Sequence, residues 1–436
     1  MSTYKGFLGW ALATAGAVAL TAGTAAASVL GGSPSGDTGV TTETSAAIVV
    51  YPKIRVDGDE GVDTIIQLTN ASEFLTKTHC FYVNANGHCS NAPDTICTQE
   101  NFTEVCPGGG LCVEGWQETD FRLTLTKRQP VSWSASDGLS SLPLNDIPGK
   151  NNQFNEGNIP PVPEDPFTGE LRCIQVDTTA SELPIARNDL KGEAVIVTDP
   201  GDGSVDVSKY NAIGIPAIDG AQNNDPVCVG GTNEGLSCAT AADCPGGTCA
   251  PNVLNIGGPN PEYNGCPNII TLDHFFDGAD VVTHDGASSA VVTSRLTVVP
   301  CSADYLNQDQ NLARATLQFL IYNEFEQRFS TSTRVTCYRE VQLSDIDTRP
   351  GADGNAFSIF SASVQGTVTG QSRIRAVAGT SEVGYSGNAV LAILEESWEG
   401  GGNCPDADGD GTPECTATTN VQFIGVRDGG DQIVLP

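Results

Sequence analysis

Histidine is scarce in this chain, and the familiar catalytic motifs are missing. Only four histidines occur among 436 residues, whereas a hydrolytic triad needs a nucleophile, a base and an orienting acid. The sequence has no Gly-x-Ser-x-Gly elbow, P-loop, dinucleotide fingerprint or Cys-x-x-Cys-His haem site. These absences favour a non-enzymatic role. A glycosidase needs only two carboxylates, and the 53 Asp and Glu residues single out no pair, so a polysaccharide hydrolase stays as an alternative.

Positive charge and long apolar runs are also in short supply. The chain has 21 Lys and Arg against 53 Asp and Glu, a formal net charge of −32. This excess disfavours nucleic acid and anionic membrane surfaces as partners, and favours metal cations or simple solubility. After the first 27 residues, no run approaches the ~20 apolar residues that cross a bilayer. We therefore expect no membrane span and no nucleic-acid partner.

The first residues have the pattern of a signal peptide. Lys5 supplies the positive region, residues 7–20 are apolar, and Ala25-Ala26-Ala27 forms an A-x-A site before Ser28. We expect residues 1–27 to be removed, followed by a flexible lead-in rich in Gly, Ser and Thr at 28–45. The protein is then secreted, extracellular or at the cell surface, with the periplasm also open.

Helical periodicity is nearly absent, and strand alternation is clearest at Ala315–Leu343. Apolar residues occupy alternate positions up to Phe325, which predicts one strand. The same side resumes at Val335 and continues through Cys337 to Leu343, which predicts a second strand beside the first, with a bulge at Arg339. Many short strands with Gly and Pro turns indicate an all-β fold of two antiparallel, immunoglobulin-like β-sandwich domains.

The composition divides the chain into these domains and their insertions. The first β-sandwich domain is predicted at 46–222, with a cysteine-rich insertion at 89–112. A cysteine-rich module and linker at 223–259 separates it from the second β-sandwich domain at 260–436, which contains an acidic loop at 403–415.

Fifteen cysteines on an exported chain indicate a disulfide framework. Two segments each hold four cysteines around a Cys-Pro-Gly-Gly sequence, which predicts two disulfides apiece; the cysteines are Cys89, Cys97, Cys106 and Cys112 in one, and Cys228, Cys238, Cys244 and Cys249 in the other. These segments are similar to cysteine-rich insertions of exported bacterial proteins. The resemblance implies export and nothing finer.

The segment ending at Cys80 is similar to the one ending at Cys337, and either duplication of one sandwich or coincidence among short strands explains the likeness. If the sandwich is duplicated, Cys80 and Cys173 bridge the two sheets of the first copy, and Cys301 and Cys337 those of the second. Cys404 then joins Cys415, which leaves Cys266 over.

The segment NCPDADGDGTPEC, residues 403–415, aims several hard oxygens at one point, as Ca²⁺ requires. It resembles the calcium loops of thrombospondin type 3 repeats and, less closely, those of dockerins and EF-hands. The resemblance implies Ca²⁺ as the cofactor and five residues as its ligands: Asp406, Asp408, Asp410, Thr412 and Glu414. Position 12, a bidentate Glu in an EF-hand, is Ala417 here. The alternative is a metal-free acidic hairpin tip closed by Cys404–Cys415.

These observations predict a structural or adhesive protein, stabilised by disulfides and Ca²⁺, that binds an extracellular protein or glycan through its loops or its cysteine-rich modules. The first alternative is an extracellular hydrolase whose carboxylates act on polysaccharide. The second is a subunit of a surface filament or coat, in which self-association complements an exposed edge strand.

Overall fold

A computed structural model describes most of the chain beyond the predicted signal peptide. The described residues are 39–97, 102–114, 117–139, 159–178, 183–218, 226–229, 231–233, 236–250, 252–258, 261–282, 289–306, 312–350, 356–378, 389–400, 404–406, 412–424 and 430–436. The predicted signal peptide and residues 28–38 of the lead-in lie outside them. Among the described residues, none of the helices is long and apolar enough to cross a bilayer.

Strands dominate the structure, which confirms the predicted all-β fold. In the first part of the chain they are β1 Ile48–Val56, β2 Val62–Asn70, β3 Thr76–Asn84, β4 Gly87–Cys89, β5 Ala92–Cys97, β6 Cys112–Glu114, β7 Gln117–Leu125, β8 Pro130–Ser134, β9 Phe167–Val176, β10 Leu190–Thr198, β11 Asp206–Asn211, β12 Ile213–Ile215, β13 Val227–Val229 and β14 Thr248–Ala250.

The remaining strands and the short helices follow the same order. The strands are β15 Val253–Gly257, β16 Ile269–Phe275, β17 Ala279–Val282, β18 Ser289–Pro300, β19 Ala303–Asp304, β20 Arg314–Asn323, β21 Arg328–Thr336, β22 Arg339–Gln342, β23 Arg349–Pro350, β24 Ala356–Phe357, β25 Thr369–Ala378, β26 Val390–Glu399, β27 Glu414–Asn420, β28 Gln422–Ile424 and β29 Gly430–Val434. The described helices are single turns: α1 Phe102–Val105, α2 Ala362–Gln365, and 3₁₀ turns at Pro107–Gly109, Ala241–Asp243 and Leu343–Ile346.

The first sandwich packs two antiparallel sheets face to face. Sheet A has the strand order β12-β1-β9-β3-β7, and sheet B has the order β11-β10-β2-β8. Tyr51, Leu68 and Trp133 lie in the core between them. Trp133 Nε1 donates a hydrogen bond of 2.6 Å to the Tyr82 hydroxyl, so both polar groups are satisfied inside an apolar core.

Sheet A is buried on both faces, which explains the nearly unbroken apolar sequence of β1. Val49 and Tyr51 face sheet B, whereas Ile48 and Val50 face a second core that also contains Leu391 of the C-terminal half. A strand covered on both sides loses the alternation of apolar and polar residues that a half-exposed strand shows.

The second sandwich pairs sheet C, of order β21-β20-β25-β16-β28, with sheet D, of order β17-β18-β26-β27. The predicted hairpin is present in sheet C, where β20 pairs β21 from Arg314↔Thr336 to Tyr322↔Arg328. Its second strand is shorter than predicted. The chain turns at Cys337, whose φ is 56°, and residues 339–342 form β22, which pairs β18 of sheet D. Phe325 lies in the hairpin turn and is exposed.

A small third sheet packs against both sandwiches and joins them. Sheet E, of order β15-β29-β19, takes strands from distant parts of the chain. Ile256 and Ile433 of this sheet share one buried core with Phe81 of sheet A and with Val299 of sheet D. Burying this much apolar surface between the halves disfavours their separation, since each Å² contributes about 25 cal/mol.

A buried arginine crosses the same junction. Arg172 on β9 contacts Glu170 with its Nε atom 2.8 Å from Oε1. It also donates hydrogen bonds of 2.8 Å to the Cys301 carbonyl and 2.6 Å to the Pro300 carbonyl, at the end of β18. A buried guanidinium needs this many acceptors, because each uncompensated donor in the interior costs free energy.

The two sandwich disulfides differ from the predicted inter-sheet bridges. Cys80 is bonded to Cys173, but these residues are directly opposed on β3 and β9 within sheet A, so this bridge does not cross between sheets. The predicted Cys301–Cys337 bridge is wrong. Cys301 is bonded to Cys266, since the segment before β16 and the end of β18 converge there, and Cys337 is a buried thiol.

The two cysteine-rich modules share one connectivity, first to third and second to fourth. The first module holds Cys89–Cys106 and Cys97–Cys112, and the second holds Cys228–Cys244 and Cys238–Cys249. Their clustered sulfurs are therefore bonded to one another. With Cys80–Cys173, Cys266–Cys301 and Cys404–Cys415, the described residues hold seven disulfides, which indicate an extracellular or otherwise non-cytoplasmic protein.

The similar segments ending at Cys80 and Cys337 do not form the same substructure. Strands β2 and β3 lie in different sheets, whereas β20 and β21 pair as a hairpin. The likeness between the two sequences is thus not a repeated hairpin. The predicted domain boundaries stay a prediction.

Candidate functional site

A polar cleft of about 610 Å³ lies between the two sandwiches. Strands β1, β10 and β11 line it from the first sandwich, and β18, β22, β26 and β27 line it from the second. Its charged lining residues are Lys53, Arg55, Glu60, Asp206, Arg295, Glu340, Glu395, Glu399 and Glu414. The described lining contains no aromatic side chain. Carboxylates outnumber the cations here, as they do in the whole chain.

Lys53 reaches this cleft because a proline interrupts its strand. Pro52 has no N–H for the ladder, and the pairing of β1 with β9 shifts register between Tyr51 and Ile54. Tyr210 of β11 replaces the missing ladder partner. Its hydroxyl accepts a 3.2 Å hydrogen bond from the Lys53 N–H and donates one to the Lys53 carbonyl. The bulge is therefore satisfied and fixed by a buried tyrosine.

The Lys53 ammonium joins two carboxylates of the other sandwich. Its Nζ atom lies 2.9 Å from Glu340 Oε1 and 2.6 Å from Glu395 Oε2. Lys53 and Glu395 are almost fully buried. Glu340 also accepts a 3.0 Å hydrogen bond from the Tyr338 hydroxyl. We call these three charged residues the Lys53 clamp.

Mutual attraction outweighs burial in setting the charge of the clamp. Burial disfavours the ammonium, but Glu340 and Glu395 raise the pKa of Lys53 above its ordinary value. Burial likewise disfavours the Glu340 carboxylate, but Lys53 and then Arg295 lower its pKa to about 2. Lys53 and Glu340 are therefore charged at neutral pH, and Glu340 has no proton to donate as a general acid.

A second connection closes the cleft along its edge. Strands β11 and β27 run side by side, and Asn420 bonds to the backbone of Asn211 through both its side-chain atoms, at 3.1 Å and 2.9 Å. Asp206 Oδ2 accepts a 3.0 Å hydrogen bond from the Thr416 N–H. The edge strands of sheets B and D thus cover each other, which removes two exposed edges.

The described ends of the acidic loop, residues 404–406 and 412–415, lie at the rim of the cleft, which Pro405 and Glu414 line. Cys404–Cys415 joins its ends, and the Glu414 N–H donates a 2.8 Å hydrogen bond to the Pro405 carbonyl. Of the predicted calcium ligands, Asp406, Thr412 and Glu414 belong to the described residues, whereas Asp408 and Asp410 lie outside them.

The described histidines lie in separate elements and form no common site. His274 on β16 is buried, and Nδ1 donates to the Phe275 carbonyl at 2.9 Å while Nε2 accepts from the Ser372 hydroxyl at 2.8 Å. Burial lowers its pKa to about 4. His79 contacts Asp120 at 2.7 Å on sheet A, and His88 contacts Glu164 at 2.9 Å in the first module. His284 lies outside the described residues.

Sequence reasoning missed Lys53 and Arg172, the charged residues that hold the sandwiches together. One signal was present for Lys53, because Pro-Lys inside the apolar run IVVYPKIRV predicts a bulge. Arg172 follows Glu170 by two positions on the same face of β9, a spacing that permits a pair on one strand. Neither signal identifies the partners of these residues in the second half of the chain.

Comparison with protein families and curated proteins identifies no relative. No protein-family model matches the chain, and no curated protein matches it significantly. The function is therefore inferred from the cleft, the modules and the sheet faces.

Proposed function

We propose that this is a secreted or cell-surface structural protein with an adhesive role, which binds an extracellular protein or glycan. The observation that carries the proposal is the continuous buried junction between the two sandwiches. It makes the two halves one stiff body from which loops and modules project. Stiff presentation lowers the entropic cost of binding, because less of the surface must be ordered on contact.

The modules supply exposed contact residues. Leu111 and Val113 of the first module are 63% and 52% exposed, and Leu236 of the second is 38% exposed. Each module is held by two disulfides that link cysteines 11–17 positions apart, so these apolar side chains keep their positions with only a small core of buried cysteines beneath them. Exposed apolar residues on a rigid base are typical of contact surfaces.

The cleft supports binding or structure better than hydrolysis. A glycosidase needs one carboxylic acid with a raised pKa and a second carboxylate ~5–10 Å away. Lys53 lowers the pKa of Glu340 and contacts Glu395 at 2.6 Å, so both carboxylates belong to the clamp. The described lining also lacks an aromatic side chain on which a sugar ring could stack.

A filament or coat subunit is the second candidate, and the edge strands favour it. Strand β7 ends sheet A and β21 ends sheet C, and each has nine residues. A strand of that length at an edge offers backbone groups to an incoming strand. Sedimentation and electron microscopy at rising protein concentration test this candidate, which predicts ordered polymers and not a monomer.

The main proposal is tested with purified, disulfide-bonded protein on an immobilised panel of extracellular proteins and polysaccharides. We expect saturable binding to at least one member without release of reducing ends. Glu399→Gln and Glu414→Gln alter the cleft but leave the Lys53 clamp intact. Sugar release that either substitution abolishes would overturn the proposal in favour of a hydrolase, and a panel without any saturable binding would remove the adhesive role.

A further inference from the structure

The outward face of sheet C is basic, although the chain as a whole carries a charge of −32. The inward positions of its strands form the core of the second sandwich. Strand register places five arginines at the opposite, outward positions: Arg314, Arg328, Arg334, Arg373 and Arg375. Among the described outward positions of the five strands, the one carboxylate is Asp273. We call this surface the arginine face.

Three of these arginines have no acidic partner among the described residues. Arg328, Arg373 and Arg375 are exposed, and no described carboxylate forms a salt bridge with any of them. Several exposed cations elsewhere pair with acids, as Lys209 does with Glu193 at 2.7 Å and Arg122 with Asp120 at 3.2 Å. Uncompensated guanidinium groups on an acidic protein indicate a surface that meets negative charge from another molecule.

The three arginines are spread over the sheet. Arg373 and Arg375 are two residues apart on β25, about 7 Å along the strand. Arg328 lies opposite Tyr322 on β20, and Tyr322 lies opposite Gln371 on β25, so Arg328 and Arg373 are about 12 Å apart at their Cα atoms. A single small anion cannot contact all three, whereas an extended polymer with repeated charges can.

Hydroxyl and amide side chains lie beside the arginines, together with Leu320, which lies between Ser330 and Arg373. Gln318 lies between Ser332 and Arg375 across the sheet, and Ser330 lies on the same face as Arg373. Such side chains hydrogen-bond to neutral hydroxyls, while guanidinium forks match carboxylates. The combination fits a polymer that carries both hydroxyls and carboxylates.

We infer that the arginine face binds a carboxylated polysaccharide, a polymer of uronic acids, in an extended conformation across β21, β20 and β25. The inference rests on the proposed adhesive function and names its partner. A nucleic acid fits less well, because the described face offers no row of exposed aromatic rings for base stacking.

The test measures binding of polygalacturonate to the full, disulfide-bonded protein by calorimetry at 50 and 300 mM salt. We expect binding that weakens as salt rises. The triple variant Arg328→Gln, Arg373→Gln, Arg375→Gln should weaken it at least tenfold. The matched control Arg122→Gln, Lys191→Gln, Lys209→Gln removes three exposed charges from the first sandwich and should weaken it less than twofold. Thermal unfolding of all proteins checks that the fold is retained.

Binding to other ligands distinguishes a carboxylated polysaccharide from other partners of the arginine face. Equal loss in both triple variants, or binding to dextran sulfate or single-stranded DNA in place of polygalacturonate, would overturn it. Salt-sensitive dimers that disappear in the arginine variant would assign the face to a second copy of the chain instead. Binding of uncharged dextran or an extracellular protein, unchanged in the arginine variant and without polygalacturonate binding, would overturn this inference but leave the adhesive function standing. Absence of binding to every ligand would remove both.

Discussion

Lys53 and Glu395 are 342 residues apart in sequence, yet Lys53 Nζ lies 2.6 Å from Glu395 Oε2 in the interior of the protein. The contact joins β1 of the first sandwich to β26 of the second. Because Glu340 shares the same ammonium, one cation balances two carboxylates at the junction. The charges of the Lys53 clamp thus hold the two sandwiches together.

Removal of the Lys53 charge should destabilise the protein strongly. Lys53→Met leaves two buried carboxylates without their cation, which costs about 3–5 kcal/mol in the free energy of unfolding. Chemical denaturation with disulfides intact measures the change. The matched control is Lys209→Met, which breaks an exposed pair with Glu193 and should cost about 0–1 kcal/mol. Equal losses in the two variants would contradict a structural role for the clamp.

Stability should depend on His274 between pH 4 and pH 6.5. Burial lowers the pKa of His274 from 6.5 to about 4, so within this range the unfolded chain binds a proton that the native chain does not. The contribution of neutral His274 is therefore complete above pH 6.5 and is lost as the pH falls towards 4.

The stability difference between the wild type and His274→Gln isolates this effect, because other titrating groups are common to both proteins. Urea denaturation at pH 7, 5.5 and 4 should show the difference shrinking by about 3 kcal/mol from the highest to the lowest pH. A difference that stays constant with pH would show that His274 takes up its proton equally in the native and unfolded states.

Peptide mapping should recover Cys266 linked to Cys301. The two residues are 35 apart in sequence, and closing a loop of that length contributes about 4 kcal/mol by the chain-entropy relation. Mass spectrometry of non-reduced digests tests the pairing, and the first-to-third and second-to-fourth bridges of each module serve as the internal control. A peptide that links Cys301 to Cys337 would restore the bridge expected from the sequence and contradict the structure.

Calcium should raise the melting temperature if the loop at 403–415 binds it. For a weak extracellular site with a dissociation constant of about 10⁻⁴–10⁻³ M, 10 mM Ca²⁺ contributes about 1.4–2.7 kcal/mol. Chelator should reverse the shift, and Asp408→Asn with Asp410→Asn should abolish it. Asp94→Asn, in the first module, is the control. If neither calcium nor chelator changes the melting temperature, and calorimetry detects no heat of binding, the loop is a metal-free hairpin tip.

Local patterns predicted those parts of the fold that depend on neighbouring residues. The β20 and β21 hairpin was predictable because one face of β20 is buried and the other is solvated, so its sequence alternates. The modules were recognisable as disulfide units because their partners lie 11–17 residues apart. The seven disulfides agree with the export inferred from cysteine content.

Features that depend on distant contacts could not be predicted. Turning at Cys337 sends β22 into sheet D, and this depends on β18 being there to pair with it. Cys301 pairs with Cys266 and not with the predicted Cys337 for the same reason. The sequence offers several possible partners for Cys301, and only the fold brings one of them close. The arginine face likewise arises only when register aligns residues of three strands.

The all-β character, the disulfide-rich nature of the chain and its excess of acidic residues follow from the amino acids alone, because strand period, cysteine content and charge are properties of the residues themselves. That sheet A is covered on both faces, and that Lys53 is charged inside the junction, depends on tertiary contacts, because burial and Coulomb attraction depend on distance in space. Residues such as Lys53 and Glu395 acquire their roles from partners hundreds of positions away.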